Sequence, residues 1–157
     1  MNKIKIILLT ISIALCLVSC IKDDRNNYLP EESVWLLESS LREVDPSVGS
    51  FSVILIKSGK GLSSCDVGIK VDDALLSEYN ALNGTALAPL PENVFTLSES
   101  SVHFDKGDFR KEVIVLWEPA ALSALLKIGE YAIPLSLECR GLETDKEKST
   151  IIIKPVI

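Results

Sequence analysis

The feature that most narrows what this chain can fold into is a two-residue rhythm of apolar side chains. From Cys65 to Val71 the odd positions Cys65, Val67, Ile69 and Val71 are apolar and the even ones are Asp66, Gly68 and Lys70. Tyr131 to Cys139 repeats the pattern through Ile133, Leu135 and Leu137. Successive residues of a strand face opposite sides of a sheet, so this rhythm buries one face and leaves the other wet. A chain that carries it more than once must cover its apolar faces with one another.

Further segments read as strands. Val34 to Leu37 is a short apolar run, and Asp45 to Ser50 is a loop by its Pro and Gly content. Phe51 to Ile56 contains the unbroken Val53-Ile54-Leu55-Ile56, which predicts burial on both faces, and Lys57 to Ser64 is a turn. Val94 to Leu97 and Ser101 to Phe104 are strands, the second with Val102 and Phe104 inward and His103 outward. Asp105 to Asp108 is expected to close a hairpin, with Gly107 at positive φ. Val113 to Trp117 is unbroken and apolar, the best candidate for the centre of a sheet. Pro134 marks Tyr131 to Cys139 as an edge strand or a bulge. Thr150 to Val156 is the last strand.

The rhythm changes twice. Leu75, Leu76, Tyr79 and Leu82 recur at helical spacing after Asp72-Asp73, and Asn83-Gly84 supplies a left-handed stop, which predicts a helix of about ten residues crossing one end of the fold. The tandem acids read as its cap rather than a calcium site. Pro119 opens a second short helix, with Leu122, Leu125 and Leu126 on its apolar side and Gly129 ending it. About eight short strands with two short helical crossovers predict an all-β, immunoglobulin-like antiparallel β-sandwich over residues 33–157. There is no internal repeat.

The first residues carry a different signal. Met1-Asn2-Lys3-Ile4-Lys5 is basic, and the apolar run to Val18 has the length of a secretory signal rather than of a membrane span. Its close, Leu17-Val18-Ser19-Cys20, resembles a bacterial lipobox. That resemblance implies a signal peptide over residues 1–19 and lipidation of Cys20. One acyl chain, at roughly 0.8 kcal/mol per buried methylene, attaches marginally, and two or three anchor stably. Residues 20–32 read as a polar tether, and Lys22-Asp23-Asp24 resembles the acidic export signal of surface lipoproteins in the Bacteroidota. The expected location is the outer membrane, facing the exterior.

Cleavage before Cys20 leaves 138 of the 157 residues, with 14 basic against 22 acidic side chains, a net charge near −8. That balance disfavours nucleic acid and anionic headgroups as partners, so membrane attachment falls to the lipid. Cys16 departs with the signal and Cys20 is taken by the anchor, leaving Cys65 and Cys139, both in step with inward positions. A disulfide between them and a pair of small buried thiols are both open.

The segment from Val71 to Val156 resembles a domain of unknown function found at the N-terminus of Bacteroidota surface lipoproteins that accompany polysaccharide-utilisation systems. The residues that carry the likeness are Val71-Asp72, Tyr79-Asn80, Leu90-Pro91, Phe95-Thr96-Leu97, Val102, Gly107 and Tyr131-Ala132-Ile133-Pro134-Leu135, with Tyr28-Leu29-Pro30 as an opening strand. The resemblance implies an all-β module that is usually followed by a glycan-binding or hydrolase-like domain.

The residues themselves point away from catalysis. His103 is the sole histidine and has no ligand partners at metal-binding intervals on its strand. No phosphate loop, nucleophile elbow or CxxC is present. No cofactor is expected, and Asn83-Gly84-Thr85 reads as a helix stop rather than a glycosylation site. Sugar binding on a sandwich calls for exposed aromatic faces beside polar groups. The candidates are Trp35, Trp117, Tyr131 and Tyr28, although Trp35 and Trp117 lie in apolar runs that favour core positions. The expected function is a non-catalytic surface lipoprotein module accessory to glycan binding or uptake, with polysaccharide or other surface lipoproteins as partners. The alternatives are a fimbrial-type structural or adhesin subunit and a truncated remnant of a longer glycan-binding lipoprotein.

Overall fold

The rhythm of the sequence becomes two facing layers in the computed structural model, which describes residues 29–157. The signal peptide, Cys16, Cys20, most of the tether and Tyr28 lie outside the described residues. Residues Glu31–Ile157 form one unit. Its strands in chain order are β1 Ser33–Leu36, β2 Ser40–Val44, β3 Ser50–Lys57, β4 Cys65–Val71, β5 Ala88–Pro89, β6 Phe95–Leu97, β7 Ser101–Phe104, β8 Arg110–Trp117, β9 Tyr131–Arg140, β10 Glu143–Thr144 and β11 Thr150–Pro155. The first sheet runs β10-β1-β3-β8-β6 and the second β2-β11-β9-β4-β7, with β5 beside β9.

The fold is the expected all-β sandwich. Val34, Leu36, Val53, Leu55, Val113 and Val115 from the first sheet meet Val67, Ile69, Phe104, Ile133, Leu135 and Ile153 from the second in a single core. It is not purely antiparallel. β1 with β10, β2 with β11 and β5 with β9 are parallel pairs. The opening segment divides between the layers, β1 joining the first sheet and β2 the second. The β2 segment Ser-Leu-Arg-Glu-Val has no apolar face of its own, which is why its sequence does not announce a strand.

Both helices form where their caps predict. Helix α1, Asp73–Asn83, starts at Asp72, whose carboxylate accepts from the Leu75 N–H, and ends at Gly84 with φ 64°. It does not cross an end of the sandwich. Leu76 packs with Leu87, Ala132 and Ile152, which places α1 on the outer face of the second sheet and explains why β9 and β11 are apolar on both sides. Asn80 fixes the return, its Nδ2 donating to the Leu87 carbonyl and its Oδ1 accepting from the Leu87 N–H. Helix α2, Pro119–Leu126, is capped by Glu118 and plugs fully buried Leu122 into the core. It ends at Lys127 in right-handed conformation, not at Gly129. Gly129 instead makes room for the Tyr131 ring, 3.2 Å from where a Cβ would stand.

Four further expectations are corrected. β7 belongs to the second sheet and β8 to the first, so Asp105 to Asp108 is a corner between layers rather than a hairpin; Gly107 does take φ 83°. β8 is interior to its sheet, yet Ile114 and Leu116 remain 36% and 43% exposed, because among the described residues nothing covers the outer face of that sheet as α1 covers the other. β3 is likewise buried on one side, with Ile54 and Ile56 half-buried. Finally β9 lies between β11 and β4. Pro134 is tolerated there because it falls where β4 departs for α1: the Asp72 N–H donates to the Pro134 carbonyl, and the ladder has no further need of an N–H at that rung.

Lys57, read as a turn residue, is the last residue of β3 and is buried at 1% exposure. Its ammonium donates to the carbonyls of Ser63 at 2.8 Å and Asp105 at 2.7 Å and lies 5.6 Å from the Phe104 ring centre. A buried charge needs such partners, and in finding them Lys57 ties the β3–β4 loop to the corner between layers.

Candidate functional site

The outer face of the second sheet is open where α1 does not reach, over β7, β4 and β9. Its outward residues follow from register. Asp66 of β4 lies between His103 of β7 and Arg140 of β9, and Gly68 lies between Ser101 and Glu138. One rung further, Lys70 faces Ser136. Long side chains above and below a glycine and a serine leave a depression of about 340 Å³ lined by Asp66, Gly68, Ser101, Glu138 and Arg140.

The charges there are mostly paired. The His103 Nδ1 is 2.7 Å from Asp66 Oδ1 and its Nε2 is 3.5 Å from Asp105 Oδ1. The hydrogen bond to Asp66 chiefly, then the charges of Asp66 and Asp105, raise the His103 pKa above its ordinary value. The Lys70 ammonium is bonded to the Glu138 carboxylate, which raises the lysine pKa. Arg140 forms no ion pair among the described residues. The depression therefore presents two engaged carboxylates, a hydroxyl and one unpaired guanidinium over a strip of bare backbone. Hydrogen-bonding groups of this kind are chemically suited to polar, hydroxylated ligands. Among the described residues no group of three or more His, Cys, Asp or Glu side chains is placed to hold a metal.

The aromatic candidates do not converge. Trp117 is in the core, with its indole N–H donating to the Pro46 carbonyl at 2.8 Å, and shows no open face. Trp35 is half-buried on β1, and the Lys148 ammonium stands 4.1 Å from its ring centre, over the face a sugar would stack on. Tyr131 is half-buried and packs against the core at the start of β9. Cys65 and Cys139 are free thiols on adjacent strands, diagonal across the ladder in which Val67 faces Cys139. Burial first, and then the nearby Cys139 thiol, push the Cys65 pKa up to about 12. A second depression, of about 530 Å³, lies by Pro46, Ser123 and Lys127 and is walled partly by Val156 and Ile157. Its Asp45 carboxylate is committed to capping the turn at Ser47.

Sequence reading missed the depression because no single strand contains it. Of the two carboxylates beside His103, Asp105 is local, just past the end of its strand, whereas Asp66 becomes a partner only through β4–β7 register. The one signal present was Gly68 in the middle of a strand.

Residues 24–141 match the model of a family described as a "-like, N-terminal domain". No curated protein matches the chain significantly. Among solved structures, a candidate carbohydrate-binding protein from Bacteroides ovatus is similar at TM-score 0.63 and 20% identity, over 78% of this chain and 36% of that one. A two-domain protein of unknown function from Bacteroides fragilis gives TM-score 0.62 and 13% identity, over 86% and 50%. EndoBT-3987 of Bacteroides thetaiotamicron, solved with Man5GlcNAc product, gives TM-score 0.53 and 20% identity, over 78% and 30%. At these identities the likeness is one of fold, and the chain spans between 30% and 50% of the length of these three proteins.

Proposed function

We propose a function from one premise: the chain belongs to the Bacteroidota family of N-terminal domains, associated with polysaccharide-utilisation systems, whose model matches residues 24–141. It acts as a non-catalytic module of the cell envelope that serves glycan capture or uptake. Lipid on Cys20 holds it to the outer membrane, and the sandwich faces the exterior beside other surface lipoproteins. Family membership carries this reading. It is supported by the kinds of protein that share the fold, one a candidate carbohydrate-binding protein and one solved with an oligosaccharide product. The open polar depression gives the module a place to touch sugar.

A glycan array probed with the purified protein tests capture. Retention on at least one polysaccharide class is expected, and silence across plant, host and microbial polysaccharides would overturn it. Anchoring is tested separately by Cys20→Ala, which should move the protein from sedimenting envelopes to the soluble fraction and abolish labelling by radioactive fatty acid.

A further inference from the structure

We propose that the depression over β7, β4 and β9 binds a uronate residue of an acidic polysaccharide, with Arg140 reading its carboxylate; this rests on the glycan-capture reading above. Gly68 stands in the middle of β4, at the floor of the depression. Glycine within a strand weakens it, since it orders at greater entropic cost and packs nothing. Here the fold does not require one. Gly68 is not among the glycines with positive φ, and a Cβ built on it would meet nothing nearer than the Glu138 carbonyl oxygen at 3.8 Å. A side chain would fit; what its absence provides is the space itself. At about 340 Å³, that space lies at the small end of ligand sites and admits a single sugar residue at a time.

Both carboxylates lining the depression are engaged by neighbouring side chains, Asp66 by the His103 imidazole and Glu138 by the Lys70 ammonium. Asp66 faces Arg140 in register, yet it turns to His103 and leaves the guanidinium without an ion pair among the described residues. The charged group that lines the depression without such a partner is therefore the Arg140 cation, on a chain whose formal net charge is −6. A guanidinium presents a planar fork that matches a carboxylate through two parallel hydrogen bonds. The Ser101 hydroxyl and the remaining lone pairs of Asp66 and Glu138 suit the ring hydroxyls of the same sugar. With no aromatic platform in the depression, the carboxylate contact sets the preference.

Calorimetric titration of the full chain in mild detergent tests this, with trigalacturonate as probe, galactotriose as its neutral counterpart and acetate as a lone carboxylate. Trigalacturonate should bind, weaken as salt is added, and lose about tenfold in affinity in Arg140→Gln. Arg140→Lys, which keeps the charge and loses the fork, should fall between. Gly68→Val should lose binding while retaining the wild-type melting temperature or exceeding it. Galactotriose and acetate should each bind at least about tenfold more weakly. Binding of trigalacturonate unchanged by Arg140→Gln, or matched by acetate, overturns the site. Capture of a neutral glycan that is indifferent to both substitutions overturns the site and leaves the capture role standing. Silence toward every glycan overturns both.

Discussion

Gly61 is the position where a single methyl group should do most damage. It sits in the β3–β4 loop at φ +68°, and a Cβ there would stand 2.6 Å from Phe109 Cζ and 3.0 Å from Cε1. The loop cannot back away. Gly107 donates to the Gly61 carbonyl at 2.9 Å, the Glu32 carboxylate accepts from the N–H groups of Leu62 and Ser63 at 2.5 Å and 3.0 Å, and Lys57 holds the Ser63 carbonyl. Relief must come from the ring of Phe109, which is 47% exposed and free to swing outward at the loss of its packing. Gly61→Ala therefore incurs about 1–2 kcal/mol for the left-handed backbone and about 1–3 kcal/mol for crowding the ring. The stiffer unfolded chain returns up to about 1 kcal/mol, so a net loss of about 1–5 kcal/mol is expected. In a Phe109→Ala background only the backbone cost remains, so a double-mutant cycle should give a coupling of about 1–3 kcal/mol, the crowding cost. Urea unfolding followed by the fluorescence of Trp35 and Trp117 measures all four corners. Equal cost of Gly61→Ala in both backgrounds would refute the steric argument, and no cost in either would refute the pinned loop as well.

Three further outcomes are expected. The C2 proton of His103, the sole histidine, should titrate in NMR above the ordinary 6.5, and Asp66→Asn should bring it down; because the folded pKa is raised, the stabilisation is full below 6.5 and fades as pH rises through the folded value. An unchanged titration in Asp66→Asn would sink the cross-strand pair. Leu122→Ala, at a position with 0% exposure, should cost about 2–5 kcal/mol in the same urea assay, and a loss under 1 kcal/mol would mean that α2 does not plug the core. With iodoacetamide at mildly alkaline pH, peptide mapping should find Cys139 modified before Cys65, whose thiol is buried and pushed up to about 12; equal rates without denaturant would contradict that burial.

What the sequence discloses here is what residues do to their near neighbours. Alternation placed Val67, Ile69, Val102 and Phe104 inward, and capping chemistry placed α1 between Asp72 and Gly84, because these are contests settled within a few residues. Which layer a strand joins is settled by distant partners. The corner at Asp105 to Asp108 reads like a hairpin from its own letters, and only the pairing of β7 with β4 and of β8 with β3 separates its two arms. Apolar runs were ambiguous for the same reason. β11 and β8 both carry unbroken apolar runs, yet α1 covers the back of one at Ile152 and, among the described residues, nothing covers Ile114 and Leu116 on the other. Lys57 was hidden because lysine ordinarily signals a wet turn, and the carbonyls that receive its ammonium lie on two different loops. The depression is the extreme case: each of its residues is unremarked alone, and cross-strand register makes them a site.

The parallel pairing of β2 with β11 also governs how the domain bears tension. A pull at the Ser40 end of β2 and at the Pro155 end of β11 slides the two strands past each other along their length. The rungs from Ile151↔Ser40 to Pro155↔Val44 are then strained together instead of parting one after another. A bead loaded in this way behaves as a lap joint under shear rather than as an opening zip, a useful mechanical property for anything that must hold a large polymer against flow.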